Sequence, residues 1–300
     1  MEQPVTPDPA APPAPETREL DFPPVANGVD YLVSVVDHLA ADAPPVVPRN
    51  LKFAVIHLHA ATEVLLKARL LSEHWSLVFK DPLQATADRY HAGDFESCGI
   101  DETIERLANL ASVSISDNDH HTLRSLAKDR NALQHYGLTH NAYAIEARAG
   151  QVLDFLVRFL DETLLPELSP EESTRIAPDM EQVLDGLDSI QAYVTQRMKR
   201  LRGTLRGHES RTVNCVDCRQ MAMVVSPEED DAAWIAQCHF CGLSELGPRF
   251  LANAYVYGHP DAAQMVHNCP RCQSPTFTDG VILADGRLVS FCFLCTATSD

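Results

Sequence analysis

Apolar positions recur every three to four residues from about residue 28 to 165, a spacing that predicts helices each with one buried face. Val29, Leu32, Val33, Val36 and Leu39 line the first, which the run Asp42-Ala43-Pro44-Pro45 ends. A second runs from about 49 to 73, with Leu51, Val55, Leu58, Thr62, Leu65 and Leu66 inward. After Pro82 and a loop holding Gly93 and Gly99, a third covers about 101 to 111. Ser116 with Asp119 three residues on marks the start of a fourth, and Gly137 its end. A fifth spans about 139 to 165 through Ile145, Val152, Phe155, Leu156, Phe159 and Leu160. Short connections between such helices imply antiparallel neighbours in a bundle.

The string Ser169-Pro170-Glu171-Glu172 is a capping box with proline at the first helical position, and it opens a short acidic helix. After Pro178 a further apolar stripe, from Met180 to Val194, carries a helix to about residue 205. This stretch reads as a helical linker with a basic end. Its stripe has two possible partners, the bundle or a second copy of itself.

From about 211 the period changes to short extended runs. Residues 221–225 and 234–237 flank an acidic loop at 228–231, and residues 281–283 and 288–293 flank Asp285-Gly286, a hairpin turn signal. Cysteines punctuate these runs. Cys215, Cys218, Cys238 and Cys241 recur, offset by fifty-four, as Cys269, Cys272, Cys292 and Cys295. Each Cys-x-x-Cys turn sets two thiolates on one side of a metal, and a second turn closes a tetrahedron. Four protein ligands leave no open position, so both sites are expected to be structural zinc. Iron also accepts four thiolates, and spacing alone leaves it open. The knuckle, hairpin, knuckle layout resembles the zinc-ribbon family, twice over. The remaining cysteine, Cys98, reads as a partly buried, inert thiol.

Charge narrows what the ribbons do. The chain carries a formal charge of -18, which excludes a general nucleic-acid binder. From 212 to 300 there are four arginines, no lysine and ten acidic residues, so protein contact or scaffolding is favoured over phosphate binding. The one basic segment holds Arg197, Lys199, Arg200, Arg202, Arg206 and Arg211. It reads as a solvated helix end or as an RNA-guiding stripe made of Arg197, Lys199, Arg200, Arg202 and Arg206. The chain opens without a signal peptide and contains no apolar run of membrane-spanning length. With eight metal-poised thiols, a cytoplasmic location follows as an expectation. Residues 1–27, rich in proline and alanine, read as a disordered tail.

The fourth helix ends in Arg130-Asn131-Ala132-Leu133-Gln134-His135-Tyr136-Gly137. Histidine titrates near neutral pH and can move the proton of a ribose hydroxyl. Arginine can fork onto a phosphate as charge develops. Set between the last two long helices of a bundle, this Arg-polar-x-x-x-His motif resembles that of the HEPN family of RNase-associated helical domains. The resemblance covers about residues 28 to 165. Together with the ribbon resemblance it gives the expected fold, mainly α, a HEPN-like antiparallel helical bundle plus two small β-hairpin zinc ribbons. It implies metal-independent endoribonuclease activity giving 2',3'-cyclic phosphate and 5'-hydroxyl ends, with Arg130 and His135 catalytic and Asn131 the intervening polar residue. It further implies a homodimer through the bundle, an RNA substrate, and a toxin or anti-phage role. A protein partner or antitoxin would be met through the ribbons or the tail. The tyrosine that related toxins carry two residues after the histidine is absent, since Tyr136 follows directly and Leu138 takes that place. The rival expectation is a non-catalytic RNA-binding or protein-interaction adaptor, in which Arg130 pairs with Asp129 or Glu63 and His135 caps a helix. The expected division is 1–27 tail, 28–165 bundle, 166–210 helical linker, 211–247 first ribbon and 248–300 second ribbon.

Overall fold

The computed structural model describes residues 20–40, 46–226, 236–244, 247–257 and 261–299. Most of the proline-rich tail and the acidic loop at 228–231 lie outside them. The described chain is a helical assembly followed by two small antiparallel sheets, one beside each cysteine cluster. No described helix is long and apolar enough to cross a membrane.

Helix α1 (Pro24–Leu39) and helix α2 (Pro48–Glu73) pack along each other, and α2 is the centre of the assembly. Leu51, Val55, Leu58, Leu65 and Leu66 of α2 are buried, as the periodicity requires. Around α2 sit α4 (Ile100–Leu110), α5 (Asp117–His135) and α6 (Ala142–Phe159); the short α3 (Ala87–Ala92) lies in the connection after α2. Ser116 caps α5 by accepting the Asp119 N–H at 3.1 Å, the expected satisfaction of an orphan helix donor. Helix α6 stops six residues short of the expected end. A π turn over Leu160–Leu164 and a 3-10 turn over Leu165–Glu167 carry the chain onward.

The apolar stripe of the helical linker packs on the bundle, one of its two expected partners. Helix α7 (Pro170–Leu187) lies on α1, and α8 (Gln191–Leu205) lies on α6. Close approach is made possible by small residues. A Cβ on Gly150 would sit 2.6 Å from the Ala192 backbone, so α6 and α8 meet main chain to main chain. The capping box at Ser169 and Glu172 forms as read. Pro178, however, lies inside α7 and does not end it; the break comes at 188–190. Proline removes one N–H and frees the carbonyl four residues back, that of Thr174. Thr174 is exposed, so that carbonyl lies on the solvent side of α7 and the helix continues.

In the first ribbon β1 (Thr212–Asn214), β2 (Met221–Val225) and β3 (Ala236–Cys238) form a sheet in the order β1-β2-β3, antiparallel throughout. Helix α9 (Pro248–Tyr255) follows. The second ribbon orders β4 (Val266–His267), β5 (Phe277–Ile282), β6 (Leu288–Cys292) and β7 (Thr298–Ser299) in sequence. Gly286, at φ +88°, makes the expected turn between β5 and β6. The ribbons are stitched together. Val213 of β1 bridges Leu283, and the Ala284 N–H donates to the Thr212 carbonyl at 2.9 Å.

Candidate functional site

The two cysteine clusters share one backbone hydrogen-bond pattern. The Cys215 N–H donates to the Gln220 carbonyl at 2.8 Å and the Cys269 N–H to that of Ser274 at 2.8 Å. The Cys238 N–H donates to Leu243 at 2.8 Å and the Cys292 N–H to Ala297 at 2.9 Å. The residue after the second cysteine of each turn is left-handed. Arg219, Gly242, Gln273 and Thr296 have φ of 61°, 81°, 60° and 55°. This lets the backbone fold back to the Gln220 and Ser274 carbonyls, and within each turn the N–H of Asp217 donates to Cys215 sulfur and that of Arg271 to Cys269 sulfur, both at 3.4 Å.

Sulfur positions test the fit of a metal. Cys215 and Cys241 Sγ lie 3.8 Å apart, and Cys218 and Cys238 Sγ 3.7 Å. In the second cluster Cys269–Cys295 and Cys272–Cys292 are both 3.7 Å. All four sulfurs of each cluster lie within 4.8 Å of one another. A tetrahedron with metal–sulfur bonds of about 2.3 Å has edges of about 3.8 Å, whereas a disulfide needs about 2.05 Å. Both clusters therefore have the geometry of a four-cysteine metal site. Within the first, neighbouring thiols displace one another: contact with Cys218 lowers the Cys215 pKa, and contact with Cys215 raises those of Cys218 and Cys238. Bound metal resolves such a contest by holding all four as thiolates.

Arg130 sits on the wall of α5 that faces α2. Its Nη2 lies 3.1 Å from both ring nitrogens of His59 and 4.0 Å from Glu63 Oε2, while Nη1 donates to Gln134 Oε1 at 3.4 Å. Of the two carboxylates expected as structural partners, Glu63 is thus near, while Asp129 is taken by Arg148 of α6. His59 is buried. Its pKa is lowered to about 4, first by burial and then by the Arg130 cation, against an opposing effect of Glu63. Asn131 and His135 are exposed, and no hydrogen bond or ion pair engages His135 among the described residues. Five residues of helix place His135 about 140° round the axis from Arg130.

Beside Arg130 opens a groove of about 960 Å³ between α2, α4, α5 and the strand-like residues 96–99. His59 and Glu63 lie at its α2 wall, Arg124 and Lys128 at its α5 wall, and Asp101 and Glu102 at its α4 wall. Lys80 pairs with Glu96 at 2.6 Å, and Arg124 holds Asp101 at 2.8 Å. The groove is therefore nearly charge-balanced.

The basic segment divides in two. Arg197 Nε donates to the Phe240 carbonyl at 2.8 Å, and Arg200 Nη1 donates to Asp154 Oδ2 at 2.7 Å. Lys199, Arg202 and Arg206 are exposed. Sequence reasoning missed Asp154 and Phe240, the internal partners of this segment. A lone acid in the apolar run Val152-Leu153-Asp154-Phe155-Leu156 was the available signal. It also gave Arg130 no partner in His59, because a contact across seventy-one positions leaves no local pattern.

No family model matches this chain, no curated protein does, and no solved structure does.

Proposed function

We propose that the bundle is a HEPN-type endoribonuclease and that the two four-cysteine sites, as zinc sites, are its scaffold. The observation that supports this most is the contrast between Arg130 and His135. The guanidinium is fixed against α2 by His59 and Glu63, and the imidazole, in the last turn of the same helix, is open to solvent. A pre-positioned cation and an accessible proton carrier are what cleavage by an internal nucleophile requires.

The proposed chemistry uses only the chain's own groups. His135 takes the proton of a ribose 2'-hydroxyl, the 2'-oxygen attacks the adjacent phosphorus, and the bond to the 5'-oxygen breaks. That oxygen receives its proton from the imidazolium so formed, which leaves a 2',3'-cyclic phosphate and a 5'-hydroxyl and returns the histidine to its neutral form. Arg130 bears the charge that builds on the phosphoryl oxygens, and Asn131 is available to a phosphate oxygen. A second copy of the bundle brings a second motif to the cleft. Lys199, Arg202 and Arg206 supply local attraction that the net charge of -18 denies elsewhere.

The rival reading, an adaptor that cuts nothing, draws on Arg130 already being engaged by the protein and on the charge balance of the groove beside it. Purified metal-loaded chain incubated with single-stranded RNA separates the two. We expect cyclic-phosphate ends from wild type and a fall of about 10²- to 10⁴-fold in His135→Ala, with an unchanged helical circular dichroism spectrum. Equal cleavage by both proteins, or cleavage by neither, rejects the nuclease and leaves the adaptor.

A further inference from the structure

The two metal sites are twins locally but differ in what they are built into. Cys215, Cys218, Cys238 and Phe240 belong to the same continuous apolar core as the helices. Cys269 and Cys292 form a small separate cluster with Phe277, against which Cys272, Leu294, Cys295 and Ala297 pack.

Phe240 lies between the last two ligands of the first site and is 4% exposed. Its ring meets that of Tyr193 on α8 edge-on, at 5.9 Å and 80°. Arg197, one turn along α8, covers the other part of the ring at 5.4 Å and donates to the Phe240 carbonyl. This grip on the knuckle continues into the bundle. Arg200, three residues on, holds Asp154 of α6, a carboxylate buried beneath α8 whose Oδ1 has no hydrogen-bond partner. That ion pair ties α8 to α6 on the same stretch of the helix that grips the knuckle. The second site's last knuckle is held elsewhere: Phe293, beside the ligand Cys292, packs 5.5 Å from Tyr255 of α9, the short helix between the two ribbons. That ribbon also reaches the remainder through the stitch at 283–284, and among the described residues no hydrogen bond or ion pair like that of Arg197 ties its knuckles to α1–α8.

We infer that the first four-cysteine site is a lock holding α8 onto the bundle, and that the second is a separable site exchanging soft, thiophilic metal ions without disturbing helices α1 to α8. Access to sulfur does not set this order, because Cys241 of the first site is exposed while Cys272 and Cys295 of the second are half-buried. Coupling sets it. Release from the first site must also break the Phe240–Tyr193–Arg197 contact, so its metal is bound with the free energy of that packing added. The inference is independent of the nuclease reading.

Zinc-loaded full-length chain challenged with excess chromogenic chelator tests it. Two ions should leave in two phases. Cys272→Ser should abolish the fast phase and leave the helical melting midpoint where it was. Cys218→Ser should abolish the slow phase and lower that midpoint by several degrees. Arg197→Ala retains all eight ligands and should turn the slow phase into a fast one, which decides the matter even if Cys218→Ser does not fold. A single phase, a slow phase indifferent to Arg197→Ala, or a chain that holds fewer than two ions overturns the inference.

Discussion

His59 places an acid limit on the bundle. Burial and the Arg130 cation hold its pKa near 4, well below the ordinary 6.5, while Glu63 pulls the other way and Lys67 adds to the depression. As pH falls below 6.5 the unfolded chain takes up a proton that the folded chain refuses until about pH 4. Stability present above pH 6.5 is therefore lost across that window, by roughly 3 kcal/mol at most for this one group. His59→Gln removes the titration and keeps a polar neighbour for Arg130. Urea unfolding at pH 7 and pH 4.5 should show a smaller difference for the variant than for wild type. A second residue-scale consequence concerns the left-handed positions. Gly242 suits its φ of 81°, whereas the β-branched Thr296 is held at 55°, a region costing such residues about 1 kcal/mol or more. Thr296→Gly should raise the affinity of the second metal site by up to about fivefold in chelator competition. Gly242→Val should weaken the first.

At the scale of elements, small side chains decide which helices can touch. A methyl on Gly150 collides with the main chain of Ala192, which cannot rotate away. A methyl on Gly186 meets the side chain of Val36, which can adjust more easily. Gly150→Ala should therefore lower the melting temperature more than Gly186→Ala, with a cost of about 1–3 kcal/mol for prising α8 from α6. Much of the element layout was legible in the chain. Ser116 and Ser169 announced two helix starts because each cap is a bond between near neighbours. The apolar stripe of α2 read correctly because burial on one face leaves a period. The end of α7 did not, since Pro178 looks like a stop until one knows that the carbonyl it frees lies on the solvent side. Helices α3 and α9 were missed, being too short to display a period. The partners of Arg197 and Arg200 were hidden because a solvated cation and one clamped to a distant residue have the same sequence.

For the whole molecule, the cysteine spacing was sufficient to foresee two tetrahedral sites, because the ligands of each lie within twenty-seven positions and the geometry of a knuckle is local. Native mass spectrometry should record two metal ions per chain, and an added chelator should remove both. What the spacing could not reveal was that the cysteines of the first site, and not those of the second, share a core with the helices. Such sharing depends on Phe240 meeting Tyr193, forty-seven positions away. The Arg130 region has the same character: the motif is visible in the string of letters, but its setting against α2 is a product of the fold.

The stitch between the ribbons has a further consequence. In its own sheet β1 is an outer strand, and the backbone of 283–284 shields its free side. A version of the protein cut after Tyr257 would bare that side, leaving unpaired amides and carbonyls ready to recruit another chain. Such a truncate should sediment as larger assemblies than the intact protein forms, so the C-terminal ribbon doubles as a guard against aggregation.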